Sequence, residues 1–211
     1  KISYTVDTES FELPTPTYAK TGYTFVGWTG SNGNTAQKSV TIPKGTTGNK
    51  SYSADWTANK YTVHYDGNGA DNGSMSDTVH TVDANTSLAS NKFTKTGYTF
   101  YGWYASRIYN GTTQWLYTDS NGQWVRGGCW YESGKQPSGA VLYRYSDGEN
   151  CCQSSMIDGD VITLHAQWSV NAYTNEITHW AWGFKNGEGN NGGENNAYQL
   201  SSKWVSFKKE Y

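Results

Sequence analysis

Lys20-Thr-Gly-Tyr-Thr-Phe-Val-Gly-Trp28 returns 75 residues later as Lys95-Thr-Gly-Tyr-Thr-Phe-Tyr-Gly-Trp103, identical at eight of nine positions. A match of that length does not arise by chance, so the chain is built on an internal repeat. A second echo closes each unit. Ser53-Ala-Asp-Trp56 matches His165-Ala-Gln-Trp168, and both run on as Trp-x-x-Asn-x-Tyr, through Asn59 and Tyr61 and through Asn171 and Tyr173. One unit therefore ends and the next begins at these tryptophans. Upstream, Tyr4-Thr-Val-Asp7 lies against His80-Thr-Val-Asp83, which leaves the first unit without a counterpart of Lys60 to Thr78. The expectation is a chain that begins inside a repeat, as a fragment of a longer protein, and strand exchange is one way to complete such a unit.

Three units follow: residues 1–58, an N-terminally truncated first repeat; residues 59–168, a second repeat; and residues 169–211, part of a third β unit. From motif Trp to closing Trp the first repeat spans 28 residues and the second 65, so the second carries an insertion of about 37 residues, placed at about 107–157. Long insertions in repeats map to surface loops, where such arrays place function. The local pattern is strand throughout. Tyr61-Thr-Val-His-Tyr65 and Val161 to Trp168 are rich in β-branched and aromatic residues and are bounded by turn signals such as Asp66-Gly67-Asn68-Gly69 and Asp158-Gly159. Alternation in the nonamer places Tyr23, Phe25 and Gly27 on one face and Thr24, Val26 and Trp28 on the other. The matched tryptophans Trp28, Trp56, Trp103 and Trp168 read as packing residues.

The pattern K-T-G-Y-T-F-x-G-W followed by A-x-W-x-x-N-x-Y-x-V resembles the Listeria–Bacteroides repeat, the B-repeat of internalin-type surface proteins. The resemblance implies small β-grasp-like modules in tandem on Gram-positive cells, with no catalytic residues to carry over. The fold class expected is mainly β: tandem β-grasp-like repeats with an aromatic-rich β-hairpin insertion. The implied location is extracellular, on a cell wall-anchored surface protein whose anchor lies outside this fragment. The tail Ile177 to Phe184 is similar, more weakly, to β modules that follow such repeats in adhesins.

Composition narrows the function. Lys and Arg number 16 against 18 Asp and Glu, a net charge of -2, which argues against a nucleic-acid partner. No run approaches the roughly 20 apolar residues of a membrane helix, so no membrane insertion is expected. Hydrophobic residues are only 35%, and the 10 Trp and 17 Tyr take up the burial that aliphatic residues would otherwise supply. Of the three cysteines, Cys129 is expected to bridge Cys151 or Cys152, because neighbouring cysteines form a strained ring. No Cys/His spacing supports a metal site, and no cofactor is expected.

Within the insertion, Gln114 to Thr118 turns through Asp119-Ser-Asn-Gly122 into Gln123-Trp-Val125, a hairpin with Trp115 and Tyr117 on one face. Exposed flat rings stack on sugars or anchor protein partners. The partner-binding candidates are Trp115, Tyr117, Trp124, Trp130, Tyr131, Tyr143 and Tyr145; the competing reading makes these rings the hairpins' own small core. Other motifs dissolve on inspection. Gly187 to Gly192 spells G-x-G-x-x-G without a following helix, the Asp66 to Asp71 loop departs from a calcium loop at Ala70 and Asp71, and the acidic pairs Asp147/Glu149 and Asp158/Asp160 sit in turns. His64, His80, His165 and His179 lie in strands with no nucleophile elbow nearby. The expected function is a non-catalytic adhesin module that recognises a host surface or secreted protein, such as an immunoglobulin, through the insertion. The alternatives are a glycan or mucin module and a structural spacer.

Overall fold

A computed structural model describes residues 1–151, 153–181 and 198–207, with side chains through Tyr173. Its regular structure is strand, as the alternating β-branched and aromatic segments require. The first unit holds β1 (Phe11–Glu12), β2 (Tyr23–Gly30), β3 (Gly33–Gln37), β4 (Thr41–Ile42) and β5 (Tyr52–Ala58). The second holds β6 (Lys60–Asp66), β7 (Thr78–Thr81), β8 (Tyr98–Tyr109), β9 (Thr112–Tyr117), β10 (Cys129–Tyr131), β11 (Arg144–Tyr145) and β12 (Asp160–Val170). Beyond them β13 (Tyr173–Ala181) pairs antiparallel with β14 (Tyr198–Phe207).

In the second unit one sheet runs β10-β9-β8-β12-β6-β7, with β11 also paired to β8. Its first and last strands, β6 and β12, are parallel neighbours, a pairing that needs the long connection the rest of the unit supplies. Period-2 alternation turns one face inward. Tyr61, Val63 and Tyr65 of β6, Trp103 and Ala105 of β8, Leu116 of β9 and Ile162, Leu164 and Ala166 of β12 form a buried cluster, closed by Leu88, Tyr145 and Cys151.

The nonamer departs from simple alternation. Pairing of β2 with β5 skips Val26, and pairing of β8 with β12 skips Tyr101, so each copy contains a bulge. The bulge brings Phe25 and Trp28 to the same side, ring centroids 5.5 Å apart, where alternation separates them. Phe100 and Trp103 repeat the contact at 4.8 Å. Only glycine fits beside the bulge: a Cβ on Gly102, at φ +139°, would lie 2.5 Å from the Tyr145 carbonyl oxygen. The unit junctions are also matched. The Gly22 carbonyl accepts from the Asn59 N–H and the Thr24 hydroxyl donates to the Asn59 side chain; Gly97, Thr99 and Asn171 repeat both bonds.

Strand pairing locates the extra residues. Trp28 opposes Gln37 in the first unit and Trp103 opposes Tyr145 in the second, so most of the insertion lies between Trp103 and Tyr145. It extends β8 and adds β9 and β10 to the edge of the main sheet rather than forming a separate lobe. The expected return strand at Gln123 to Val125 is not formed. The Asp119 carboxylate accepts from the N–H groups of Asn121 and Gln123, closing a turn there. A second turn with Gly127 and Gly128 at φ +87° and +72° follows, and the strand that pairs β9 is Cys129–Tyr131.

Candidate functional site

The insertion's aromatic residues divide between core and surface. Tyr145 is 1% exposed, and its hydroxyl lies 2.6 Å from Ser154 Oγ; it is a core residue and closed to a partner. Burial drives its phenol pKa well above the ordinary range. Trp130 lies against the core, donates its indole N–H to the Gly127 and Ser154 carbonyls, and carries Arg107 4.6 Å from its ring centroid. Arg107 in turn pairs with Asp160 at 3.1 Å, with side chains only 10% and 6% exposed. That pair fastens the extended end of β8 to the start of β12. Tyr117 is also buried, edge-on to Tyr131. For Tyr145 and Trp130 the internal-core reading holds, because β10 and β11 join a sheet whose inner face was already apolar; Tyr117 is buried on the opposite face from Leu116, beside Trp115.

Of the remaining candidates, Trp115 lines a groove of about 350 Å3 with Tyr104, Tyr117, Leu142, Asn68, Ser133, His165 and Gln167. Trp124 and Tyr143 line a separate cleft of about 240 Å3 with Glu149, Asn150 and Gln153. There the Tyr143 hydroxyl donates to Glu149 at 2.6 Å, and burial followed by this carboxylate raises its pKa well above the ordinary range.

The groove opens onto the outer face of the main sheet. Strand register aligns Tyr131, Trp115, Ser106, Thr163 and His64 in one row across five strands. The β8–β12 pairing ends at Ile162–Arg107, and one step beyond it Ile108, opposite Thr113, falls in line with Val161, Thr62 and Val79. In that row Ile108 is 74%, Val161 50% and Val79 65% exposed. Three aliphatic side chains, Ile108 on β8, Val161 on β12 and, beyond Thr62 of β6, Val79 on β7, thus face solvent on the side of the sheet that carries the Trp115 groove. Sequence reasoning missed them, although Val161 and Val79 alternate with buried residues in their own strands and so had to point outward.

The same face holds three polar residues drawn from distant parts of the chain. Ser106 Oγ is 2.8 Å from His165 Nε2, and His165 Nδ1 is 2.8 Å from Asp66 Oδ2. Burial opposes ionisation of Asp66, but the Asn68 N–H and the His165 ring outweigh it and hold the carboxyl below its usual range. The order Ser-His-Asp is that of a nucleophile relay, yet Ser106 is 7% exposed and sits mid-strand, paired on both edges. A strand so paired commits its N–H groups to the ladder and leaves no oxyanion site. The relay instead fixes the His165 ring, against which Trp115 packs at 5.1 Å.

Among the described residues no S–S bond joins Cys129 to Cys151, and the alternative bridge to Cys152 falls outside them. Cys129 is on β10 opposite Tyr117, its pKa raised by burial and then by Asp119. Cys151 is in the core, its Sγ 3.3 Å from His80 Nδ1. Two different sites therefore hold these residues. Cys152, the G-x-G-x-x-G segment and the end of the tail motif lie outside the described residues.

The family profile for the Listeria-Bacteroides repeat domain matches residues 2–54 and again 61–123, one match for each nonamer-bearing unit. The chain belongs to the Listeria-Bacteroides repeat family. The second match runs into the insertion as far as Gln123. The chain is also similar to a protein of Evansella cellulosilytica described as a Gly-rich membrane protein, 27% identical over 164 residues. That alignment covers 74% of this chain and 15% of the relative, so the chain spans a small part of the relative's length. No solved structure matches.

Proposed function

We propose that this chain is a non-catalytic recognition module of a bacterial surface adhesin, binding a host surface or secreted protein through the outer face that the insertion widens. Family membership and the likeness to a protein described as a membrane protein support the surface setting. The observation that carries the binding reading is the row Ile108, Val161 and Val79 on the face that carries the Trp115 groove. A flat aliphatic row next to a half-buried indole suits a protein surface, because its desolvation favours association and offers no polar edge for a sugar.

Immunoglobulin is the first partner to test. Surface plasmon resonance with purified immunoglobulin should show binding by the whole chain, at least tenfold weakening with Ile108→Asp or Trp115→Ala, and little change with Trp124→Ala. Equal binding by all variants would refute the placement. A glycan reading is favoured by one observation, the Trp124 cleft, where a ring stands beside the Glu149 carboxylate and two side-chain amides. Binding to mucin that Trp124→Ala abolishes and Ile108→Asp spares would select that reading.

A further inference from the structure

The Trp115 groove forms where β8 changes neighbours along one edge. Ser106 opposes Trp115 of β9, but Tyr104 opposes Arg144 of β11. Between these points Leu142 bridges to Tyr117, so the segment that leads into β11 holds the end of β9 away from β8. Tyr117 and Tyr104 are thereby parted on the face that carries Trp115. In the next row Gln167 opposes Gly102, which has no side chain to fill the space. The result is a cleft with three rings in its walls.

Its polar groups are acceptors. The Asn68 and Gln167 side-chain N–H groups donate to the Ala166 and His165 carbonyls. A carbonyl only accepts, so these bonds fix which end of each amide is the oxygen. Neither amide oxygen receives a donor among the described residues. Asp66 stands at the rim, its Oδ1 accepting from the Asn68 N–H at 2.9 Å and its Oδ2 2.8 Å from His165 Nδ1, with the side chain still 43% exposed. No lysine or arginine is among the described residues that line the groove. The nearby cations are engaged elsewhere: Arg144 lies 5.0 Å from the Tyr101 ring centroid and donates to the Tyr101 carbonyl, and Lys135 pairs with Glu132.

The same unit shows what such a set of groups holds when it is filled. Arg107 lies 4.6 Å from the Trp130 centroid and 5.0 Å from that of Tyr109. It donates to the Gln114 amide oxygen at 3.0 Å and to the Asp160 carboxylate at 3.1 Å. Rings, an amide oxygen and a carboxylate surround one guanidinium. The Trp115 groove brings together the same kinds of group around an open space.

We propose that the Trp115 groove is a guanidinium site that receives an arginine side chain of the protein bound by the outer face; that the arginine comes from a protein rests on the function proposed above. A planar guanidinium stacks on ring faces and carries five N–H donors in a fixed fork, a match for amide oxygens and a carboxylate that neither an ammonium nor a neutral side chain makes. A sugar offers a stacking face without the positive charge that Asp66 and the ring faces attract.

The test is an NMR titration of the intact chain with Gly-Arg-Gly, acetylated and amidated at its ends, and with the same peptide carrying citrulline, the uncharged isostere of arginine. Arginine should give saturable shifts at the Trp115 indole N–H and at the Asn68 and Gln167 side-chain amides, and citrulline should bind about tenfold more weakly or worse. Asp66→Asn, which keeps the side chain's shape, should weaken the arginine peptide by about tenfold with the spectrum of a folded chain retained, and Trp124→Ala should leave its binding unchanged. An absence of saturable shifts, equal binding of the citrulline peptide, or saturation of the same resonances by N-acetylgalactosamine in preference to arginine would overturn the proposal. The titration needs no partner protein. Immunoglobulin that fails to bind therefore refutes the proposed function and leaves arginine binding to support the site, whereas a partner that binds through Ile108 while the arginine peptide gives no shifts refutes the site alone.

Discussion

Replacing Trp103 by alanine removes the largest fully buried side chain described in the molecule, 0% exposed at the centre of β8. Three rings meet it edge-on: Phe100 at 4.8 Å, Tyr65 at 5.5 Å and Phe93 at 6.3 Å between centroids. Its indole N–H has no hydrogen-bond partner among the described residues, so the loss is one of apolar packing alone. Those rings project from three different segments, which limits how far they can close on the space left behind. The expected cost is about 3–5 kcal/mol. The same change at Trp28, which is only partly buried beside an open groove, should cost about 1–3 kcal/mol. Urea unfolding followed by far-ultraviolet circular dichroism measures both, and amide exchange assigns the Trp103 loss to β8 and β12. A Trp103→Ala chain within 1 kcal/mol of wild type, or one no worse than Trp28→Ala, would refute the packing argument.

Asp160→Ala should destabilise by about 3–5 kcal/mol, because it strands the nearly buried Arg107 guanidinium, and limited proteolysis should then cut the insertion sooner than in wild type. Asp83 accepts from Arg126, Tyr23 and Gln153 and so ties the two units together. The Arg126 hydrogen bond is the main force holding its carboxyl below the usual value. A depressed folded pKa contributes stability above the unfolded value of about 3.9 and loses it as pH falls through the folded one. Wild type should therefore exceed Asp83→Asn in thermal stability at pH 6, with the gap closing below about pH 4; a gap that widened on acidification would contradict the assignment.

Repeat order, strand content and the packing role of Trp103 and Trp168 were legible because they are local or recur. The parallel pairing of β6 with β12 was not, since it joins residues about a hundred positions apart by backbone bonds that leave no residue-specific mark. Counting rings in the insertion located an unusual segment but misread Tyr145 and Trp130. Their destination depended on β9 and β10 joining the main sheet, and sequence alternation cannot say whether a new hairpin extends an existing core or stands alone. Ser106, His165 and Asp66 were invisible as a group for the same reason: only cross-strand register brings them together. The bulge at Val26 and Tyr101 shows the converse. One skipped residue moved Trp28 to the face opposite the one alternation assigns.

The parallel lie of β6 and β12 has a mechanical consequence. A unit pulled from the start of β6 and the end of β12 has its two central neighbours drawn past each other along their length. Six residue pairs, Asp160–Tyr61 through His165–Asp66, then bear the load together in shear instead of opening one after another from an end. Forced unfolding is governed by the rate of barrier crossing, so a ladder that must yield all at once lengthens the life of the fold under tension. Drag along the chain would be borne by backbone bonds at the middle of the sheet, leaving the outer face and its rows of side chains undistorted.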